Sequence, residues 1–123
     1  MTEPNRLSAT EALQQLRSGR LTGEALMQAC LERIRLREPE VRAWAHLAAD
    51  AALAAARALD SKSQPGVLGG IPLGVKDIID TGDMPTEYNS PFYAGFRPRV
   101  DAACVAMMRR AGAIVVGKTV TTE

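Results

Sequence analysis

The fold of this chain is decided by the stretch LGGIPLGVKDIID, residues 68–80. Its apolar residues from 71 to 79 predict a buried strand, entered through Gly69-Gly70. Lys76 interrupts that strand, and burial is costly for a cation because it removes hydration. Two interpretations are open. Elementary chemistry favours a lysine that reaches solvent or pairs with a carboxylate. The alternative is a partly desolvated, neutral lysine that accepts a proton.

A helix and a second strand are predicted further along the chain. Asp101 is a good N-cap for a helix that runs to Ala111, and Val100 with Val105 would form a hydrophobic staple across it. The apolar residues 113–116 then predict a short buried strand. A strand, a helix and a strand in this order predict a crossover unit whose two strands are parallel.

The segments GGIPLGVKDIID, residues 69–80, and DAACVAMMRRAGAIVVGKTVTTE, residues 101–123, resemble the N-terminal part of the amidase signature family. Members of that family are serine hydrolases with a Ser-Ser-Lys arrangement. The resemblance implies that Lys76 is the catalytic base, and it implies no other site residue here. It also implies a small-molecule amide substrate and neither a metal nor an organic cofactor. Asp77 should point to the opposite face of the strand and serve the structure.

The two serines of the family lie in a Gly/Ser-rich loop, and this sequence stops before any such loop. We therefore expect the N-terminal portion of a carboxamide-hydrolysing amidase domain, inactive alone. One alternative is the A subunit of a transfer-RNA-dependent amidotransferase, which delivers ammonia. Another is a non-catalytic truncated fragment that serves only in interaction. A homodimer is left open.

The expected fold class is α/β, an incomplete piece of the amidase signature fold. Residues 1–62 should be mainly helical, and residues 63–123 should carry the strand-helix-strand unit. Ser8 begins a capping box for the first helix, and Thr22 caps a second helix that Pro39 should end. A short strand or extended segment at 41–47 and a helix at 48–59 should follow.

Composition excludes several classes of function. The net charge of the 123 residues is +1, with both signs mixed along the chain, so no direct nucleic-acid or membrane-surface binding is expected. Cys30 and Cys104 lack metal-ligand and redox spacing, so we expect buried small hydrophobes in a reducing compartment. The N-terminus lacks the apolar run of a signal peptide, and no stretch approaches membrane-spanning length. A cytoplasmic protein is expected.

The string GAIVVGKT, residues 112–119, matches the P-loop pattern to the letter. A P-loop needs a phosphate-cradling loop between a strand and a helix, whereas here the intervening residues favour a strand that follows a helix. We therefore expect no nucleotide binding at Lys118 and Thr119. The resemblance implies only that this segment lies near the active site.

The aromatic residues of the irregular stretch 87–98 have two interpretations. They most simply pack this loop against the body of the protein. A substrate-facing role is the alternative, because loops on a rigid scaffold often carry function. The residues concerned are Tyr88, Phe92, Tyr93 and Phe96.

Overall fold

A computed structural model describes residues 2–123 of the chain. It is a mixed α/β structure, as predicted. The helices are α1 (Ala9–Arg17), α2 (Gly23–Val41), α3 (Ala49–Asp60) and α4 (Ala103–Arg110), and the strands are β1 (Trp44–Leu47), β2 (Pro72–Lys76) and β3 (Ile114–Thr119). Short 3-10 turns occupy Pro4–Arg6 and Pro91–Tyr93.

The strands form one three-stranded sheet in the order β1-β3-β2. The predicted parallel pairing of the strand at 71–79 with the strand after α4 is confirmed, since β2 and β3 are parallel. The antiparallel pairing of β1 with β3 was not predicted from the sequence. This third strand places β3 at the centre of the sheet, with β1 and β2 at its edges.

Helices cover both faces of the sheet. Strand side chains alternate between faces, so neighbouring residues of β3 enter different clusters. One cluster joins α2 and α3 to the sheet and contains Met27, Ala52, Ala56, Ile114 and Val116. The other joins α4 and the loop after β2 to the sheet and contains Val75, Met84, Val105 and Val115. The sheet is therefore the middle of three layers.

The pairing of β2 with β3 shifts by one residue near its middle. Leu73 pairs with Val115, but the next residue, Gly74, pairs with Gly117. Val116 is therefore an extra residue in β3, which is the definition of a β-bulge. Beyond Val116, each residue of β3 therefore points to the face opposite to the one that strict alternation along β3 would give it.

The predicted end of α2 at Pro39 is wrong. The helix continues through Pro39 to Val41, and Arg42 ends it in a left-handed conformation with φ of 52°. A proline removes one backbone hydrogen bond. The Glu38 carboxylate supplies two others, accepting from the amides of residues 43–44 at 2.7 and 2.9 Å. These bonds fix the turn from the helix into β1.

The predicted cap of α4 is also wrong. Ala102 occupies the N-cap position and makes no side-chain cap hydrogen bond. The Asp101 carboxylate instead accepts from the Gly82 amide at 2.8 Å and lies 3.1 Å from Arg109 Nε. Val100 is 72% exposed, so the expected staple does not form. Asp101 thus anchors the loop after β2 instead of starting the helix.

The capping predictions near the N-terminus are confirmed. Ser8 and Glu11 form the complete capping box of α1, and the Thr22 side chain accepts from the Ala25 amide at the start of α2. Cys30 is half-buried, and burial raises the pKa of its thiol. Cys104 is exposed, so its predicted burial is wrong.

No helix among residues 2–123 is long and apolar enough to cross a bilayer. Over the same residues, no three or more His, Cys, Asp or Glu side chains come together in a group that could hold a metal ion.

Candidate active site

Lys76 is the last residue of β2 and lies at the carboxyl end of the parallel pair. It pairs with Thr119, and its carbonyl accepts a hydrogen bond from the Ile79 amide at 2.9 Å, so the chain turns directly after it. Ligands of open α/β sheets bind outside the carboxyl ends of the strands. The side chain is exposed, which agrees with the interpretation of a lysine that reaches solvent. The predicted extension of the strand to residue 79 is wrong, since β2 ends at Lys76. The role of Lys76 as a base stays a prediction.

The fully buried lysine of this site is Lys118. Its side chain is 0% exposed, and its Nζ lies 3.2 Å from Asp77 Oδ1, whose side chain is 4% exposed. The same Nζ donates to Thr86 Oγ1 at 2.6 Å and to the Pro85 carbonyl at 3.3 Å. A buried cation needs such partners, because its hydration has been removed.

The β-bulge explains which face Lys118 occupies. Beyond the bulge Val75 pairs with Lys118, so both side chains belong to the face that α4 covers. Asp77, two residues after Val75, belongs to that face as well. Lys76, between them, belongs to the other. The expectation that Asp77 points to the face opposite to Lys76 is thereby confirmed, whereas its purely structural role stays a prediction.

Asp77 is held from several sides. Its amide donates to the Thr119 carbonyl at 2.9 Å, and its own carbonyl accepts from the Tyr88 amide at 3.1 Å. Its Oδ2 accepts from the Glu87 amide at 3.3 Å. Its Oδ1 accepts no hydrogen bond within residues 2–123 and faces Lys118 as an ion pair only. The residue after Lys76 is therefore tied to β3 and to the following loop.

The loop at 81–86 closes over the Lys118 ammonium. Thr81 and Thr86 are both 0% exposed. The Thr81 amide donates to Thr86 Oγ1 at 3.4 Å, and Thr81 Oγ1 donates to the Met84 carbonyl at 3.4 Å. Sequence reasoning missed this network. The available signal was Lys118 itself, which directly follows the apolar strand residues and Gly117.

The P-loop string is not a phosphate-binding loop in the structure. Residues Ile114–Thr119 form β3, and the Lys118 ammonium is enclosed by Asp77, Thr86 and Pro85. A phosphate cradle requires exposed backbone amides in a loop before a helix. The predicted strand is therefore present where a P-loop would need a phosphate-cradling loop.

The aromatic loop is less buried than predicted. Phe92 is 95% exposed, Tyr93 49% and Phe96 43%. The aromatic rings of this loop pack against one another instead. The ring centroids of Tyr88 and Tyr93 lie 4.9 Å apart and those of Tyr93 and Phe96 lie 6.2 Å apart, and both pairs have an edge-to-face arrangement. The Tyr88 hydroxyl also donates to Asp80 Oδ1 at 2.9 Å, and this hydrogen bond raises the pKa of the hydroxyl.

Two clefts bear on the location of a site. One of about 260 Å³ lies at the strand ends and is lined by residues that include Asp77, Glu87, Asn89 and Thr121. A larger one of about 580 Å³ lies between α3 and α4, and Lys76 lines neither. The smaller cleft lies where the parallel strands end, but neither cleft of the described residues contains the candidate base.

Comparisons with known proteins place these residues in context. Residues 25–123 match the family described as Amidase. The chain is 46% identical, over 96% of its length, to the A subunit of the glutamyl-tRNA(Gln) amidotransferase of Chloroflexus aurantiacus. It is 38% identical, over 97% of its length, to the putative amidase AmiD of Mycobacterium bovis. The chain spans about a quarter of these curated relatives, 25% and 26% of their lengths.

A solved structure with a similar fold is that of native peptide amidase from Stenotrophomonas maltophilia. The TM-score is 0.87 and the identity 36%, over 96% of this chain and 26% of that one.

Proposed function

Because this chain belongs to the amidase signature family, we propose that it carries the general base of an enzyme that hydrolyses carboxamide C–N bonds, with Lys76 as that base. The observation that carries the proposal is the place of Lys76. It ends β2, at the carboxyl ends of the parallel strands, inside the matched residues 25–123. Because the Lys76 side chain is exposed, catalytic groups of a complete enzyme that lie outside residues 2–123 could reach it.

In the proposed mechanism, Lys76 accepts a proton that one serine relays from a second, nucleophilic serine. The nucleophile forms a bond to the amide carbonyl carbon, and backbone amides stabilise the oxyanion. The C–N bond then breaks, ammonia or an amine leaves with a proton, and water releases the acyl group. We propose that both serines belong to a Gly/Ser-rich loop outside these 123 residues, which are inactive alone.

A lysine acts as a base only in its neutral form, which desolvation favours. Since Lys76 is exposed within residues 2–123, we propose that further polypeptide of a complete enzyme covers it. The substrate would be a small-molecule amide. Nucleic acid would not bind directly, and a homodimer stays a prediction. A cytoplasmic location fits Cys30 and Cys104, which are free thiols as in a reducing compartment.

A second candidate function is that of the A subunit of an amidotransferase. The observation that favours it is the 46% identity to the Chloroflexus aurantiacus protein, compared with 38% to the putative amidase. Such a protein would release ammonia from an amide for use by partner subunits. Activity that requires those partners and a charged transfer RNA would identify it, whereas hydrolysis by the protein alone would identify an amidase.

The test of the base is the Lys76→Ala variant of the complete gene product that carries these residues. Ammonia release from simple carboxamides and from glutamine is measured, with partner subunits added where the gene neighbourhood encodes them. We expect kcat to fall by about 10²- to 10⁴-fold, the contribution of general acid–base catalysis. Circular dichroism should be unchanged, because the Lys76 side chain belongs to neither hydrophobic cluster of the described residues.

The matched control is Lys62→Ala, which removes another exposed lysine just after α3 and should leave kcat unchanged. Near-normal turnover by the Lys76→Ala variant would end the assignment. A wild-type protein that releases no ammonia under any of these conditions would instead support a non-catalytic fragment.

A further inference from the structure

We infer that the buried Asp77–Lys118 ion pair is a positioning device that holds the backbone of Lys76 for proton transfer. This inference rests on the proposed function of Lys76. Neither member of the pair would touch the substrate: both are buried on the face that α4 covers, and Lys76 belongs to the opposite face.

The pair ties three segments together at one point. Asp77 is the first residue after β2, and Lys118 is the last but one of β3. The loop that follows β2 supplies Thr86 and the Pro85 carbonyl to the Lys118 ammonium, and the Glu87 amide to Asp77. The end of β2 cannot move relative to β3 or this loop without breaking a contact to a buried charge.

Stability alone does not account for such a pair. Two charges lose their hydration on burial, and apolar residues of similar volume often replace a buried ion pair without loss of stability. Removing one partner is different, since it leaves an uncompensated buried charge. What the two charged groups add over an apolar contact is a defined geometry, because the hydrogen bonds of Lys118 to Thr86 and Pro85 and of Asp77 to the Glu87 amide fix distance and direction.

The fixed geometry reaches Lys76 through the backbone. The peptide unit that joins Lys76 to Asp77 is planar, and its N–H donates to the Thr119 carbonyl at 2.9 Å. The Lys76 carbonyl accepts from the Ile79 amide at 2.9 Å. Displacement of the Asp77 backbone therefore moves the Cα atom of Lys76. A displacement of about 1 Å at a reacting group can cost about 10²-fold in rate.

The test compares variants of the complete gene product. Asp77→Asn and Lys118→Met alone should destabilise the fold. The double variant Asp77→Asn/Lys118→Met removes both charges with little change of volume and should recover the melting temperature. We expect its kcat for amide hydrolysis to stay about 10- to 10²-fold low. Its KM should be unchanged, because the pair does not contact the substrate.

A readout that is independent of turnover is amide hydrogen exchange at Asp77 and Ile79. Exchange there should be at least about tenfold faster in the double variant, as the strand end loosens. A folded double variant with wild-type kcat would show that the pair is only structural. A low kcat with unchanged exchange at both amides would also overturn the positioning role.

Thr86→Val provides a milder variant in case the double variant does not fold. It removes the hydroxyl that accepts from Lys118 and leaves the ion pair in place. We expect kcat to fall by about 3- to 10-fold at constant KM, a smaller loss than the full displacement gives. Wild-type kcat in Thr86→Val would overturn the inference. Failure of the proposed function is distinguished by Lys76→Ala, since full activity of that variant would reject the base itself.

Discussion

Replacement of Gly117 by alanine should separate β1 from β3. A Cβ atom on Gly117 would lie 2.2 Å from the His46 carbonyl oxygen and 3.0 Å from the Leu47 Cα. Ordinary carbon–oxygen contacts between strands are about 3.3–3.6 Å. The strands would therefore have to move apart by about 1 Å, and no side chain can rotate away because both atoms belong to the backbone.

The expected cost follows from opposing contributions. Overpacking of this kind costs about 1–3 kcal/mol. The lower entropy of the unfolded chain on a change from Gly to Ala offsets about 0.4–1 kcal/mol. A net loss of about 1–2 kcal/mol remains, which corresponds to about a 5- to 30-fold change in an opening equilibrium.

Hydrogen exchange in the complete gene product measures this loss at defined amides. The Ala48 amide donates to the Val116 carbonyl, and the Val120 amide donates to the Ala43 carbonyl, each at 2.8 Å. Protection of both amides should fall by about 5- to 30-fold in the Gly117→Ala variant.

The matched control is Gly74→Ala in β2. A Cβ atom there would lie 3.2 Å from Thr119 Cγ2 and from the Trp44 ring, which are side-chain atoms that can shift. The entropy gain is the same, so the comparison isolates the backbone clash. Equal protection in the two variants would refute the reasoning.

Two further predictions concern the chain as it stands. Lys118 should not bind nucleotide, since its ammonium is enclosed by protein groups; saturable ATP binding in calorimetry that Lys118→Ala abolishes would contradict this. The 123-residue chain alone should hydrolyse no simple amide, bind a hydrophobic dye and self-associate, because large apolar side chains such as Phe92 are exposed and both sheet edges are open. A sharp, cooperative melt from a monodisperse monomer, or amide hydrolysis by it, would show otherwise.

The helices could be predicted from the sequence because their signals are local. The hydroxyls of Ser8 and Thr22 accept from amides only three residues further on. The end of α2 could not be predicted in the same way. It depends on the Glu38 carboxylate reaching the amides of residues 43–44 across a left-handed Arg42, which a rule about Pro39 does not contain.

The pairing of β1 with β3 could not be predicted from local patterns. Trp44 pairs with Thr119, which lies 75 positions further along the chain (119 − 44). Contacts of this kind depend on the closed fold. The parallel pairing of β2 with β3 was accessible, because a strand, a helix and a strand in succession have few allowed arrangements.

A desolvated lysine was predicted in kind, but it was expected at a different position. Desolvation was the right concern for a lysine in an apolar strand, yet it applies to Lys118, whereas Lys76 is exposed at the strand end. Two local features decide this difference: β2 ends at Lys76, and the extra residue Val116 turns Lys118 toward Asp77. Neither a strand end nor a bulge has a strong sequence signal.

The β-bulge decides which changes of length the end of β3 can accept. Val116 is the residue that the pairing skips, since Leu73 pairs with Val115 and Gly74 with Gly117. Deletion of Val116 would therefore leave Lys118 beside Asp77 and would remove only the Val116 side chain from the layer of Met27 and Ala56. Insertion of one residue between Gly117 and Lys118 would instead shift the alternation, so that Lys118 would enter that layer and Asp77 would lose its counter-charge. Homologous sequences should therefore accept a deletion of one codon at the bulge more readily than an insertion of one codon after it.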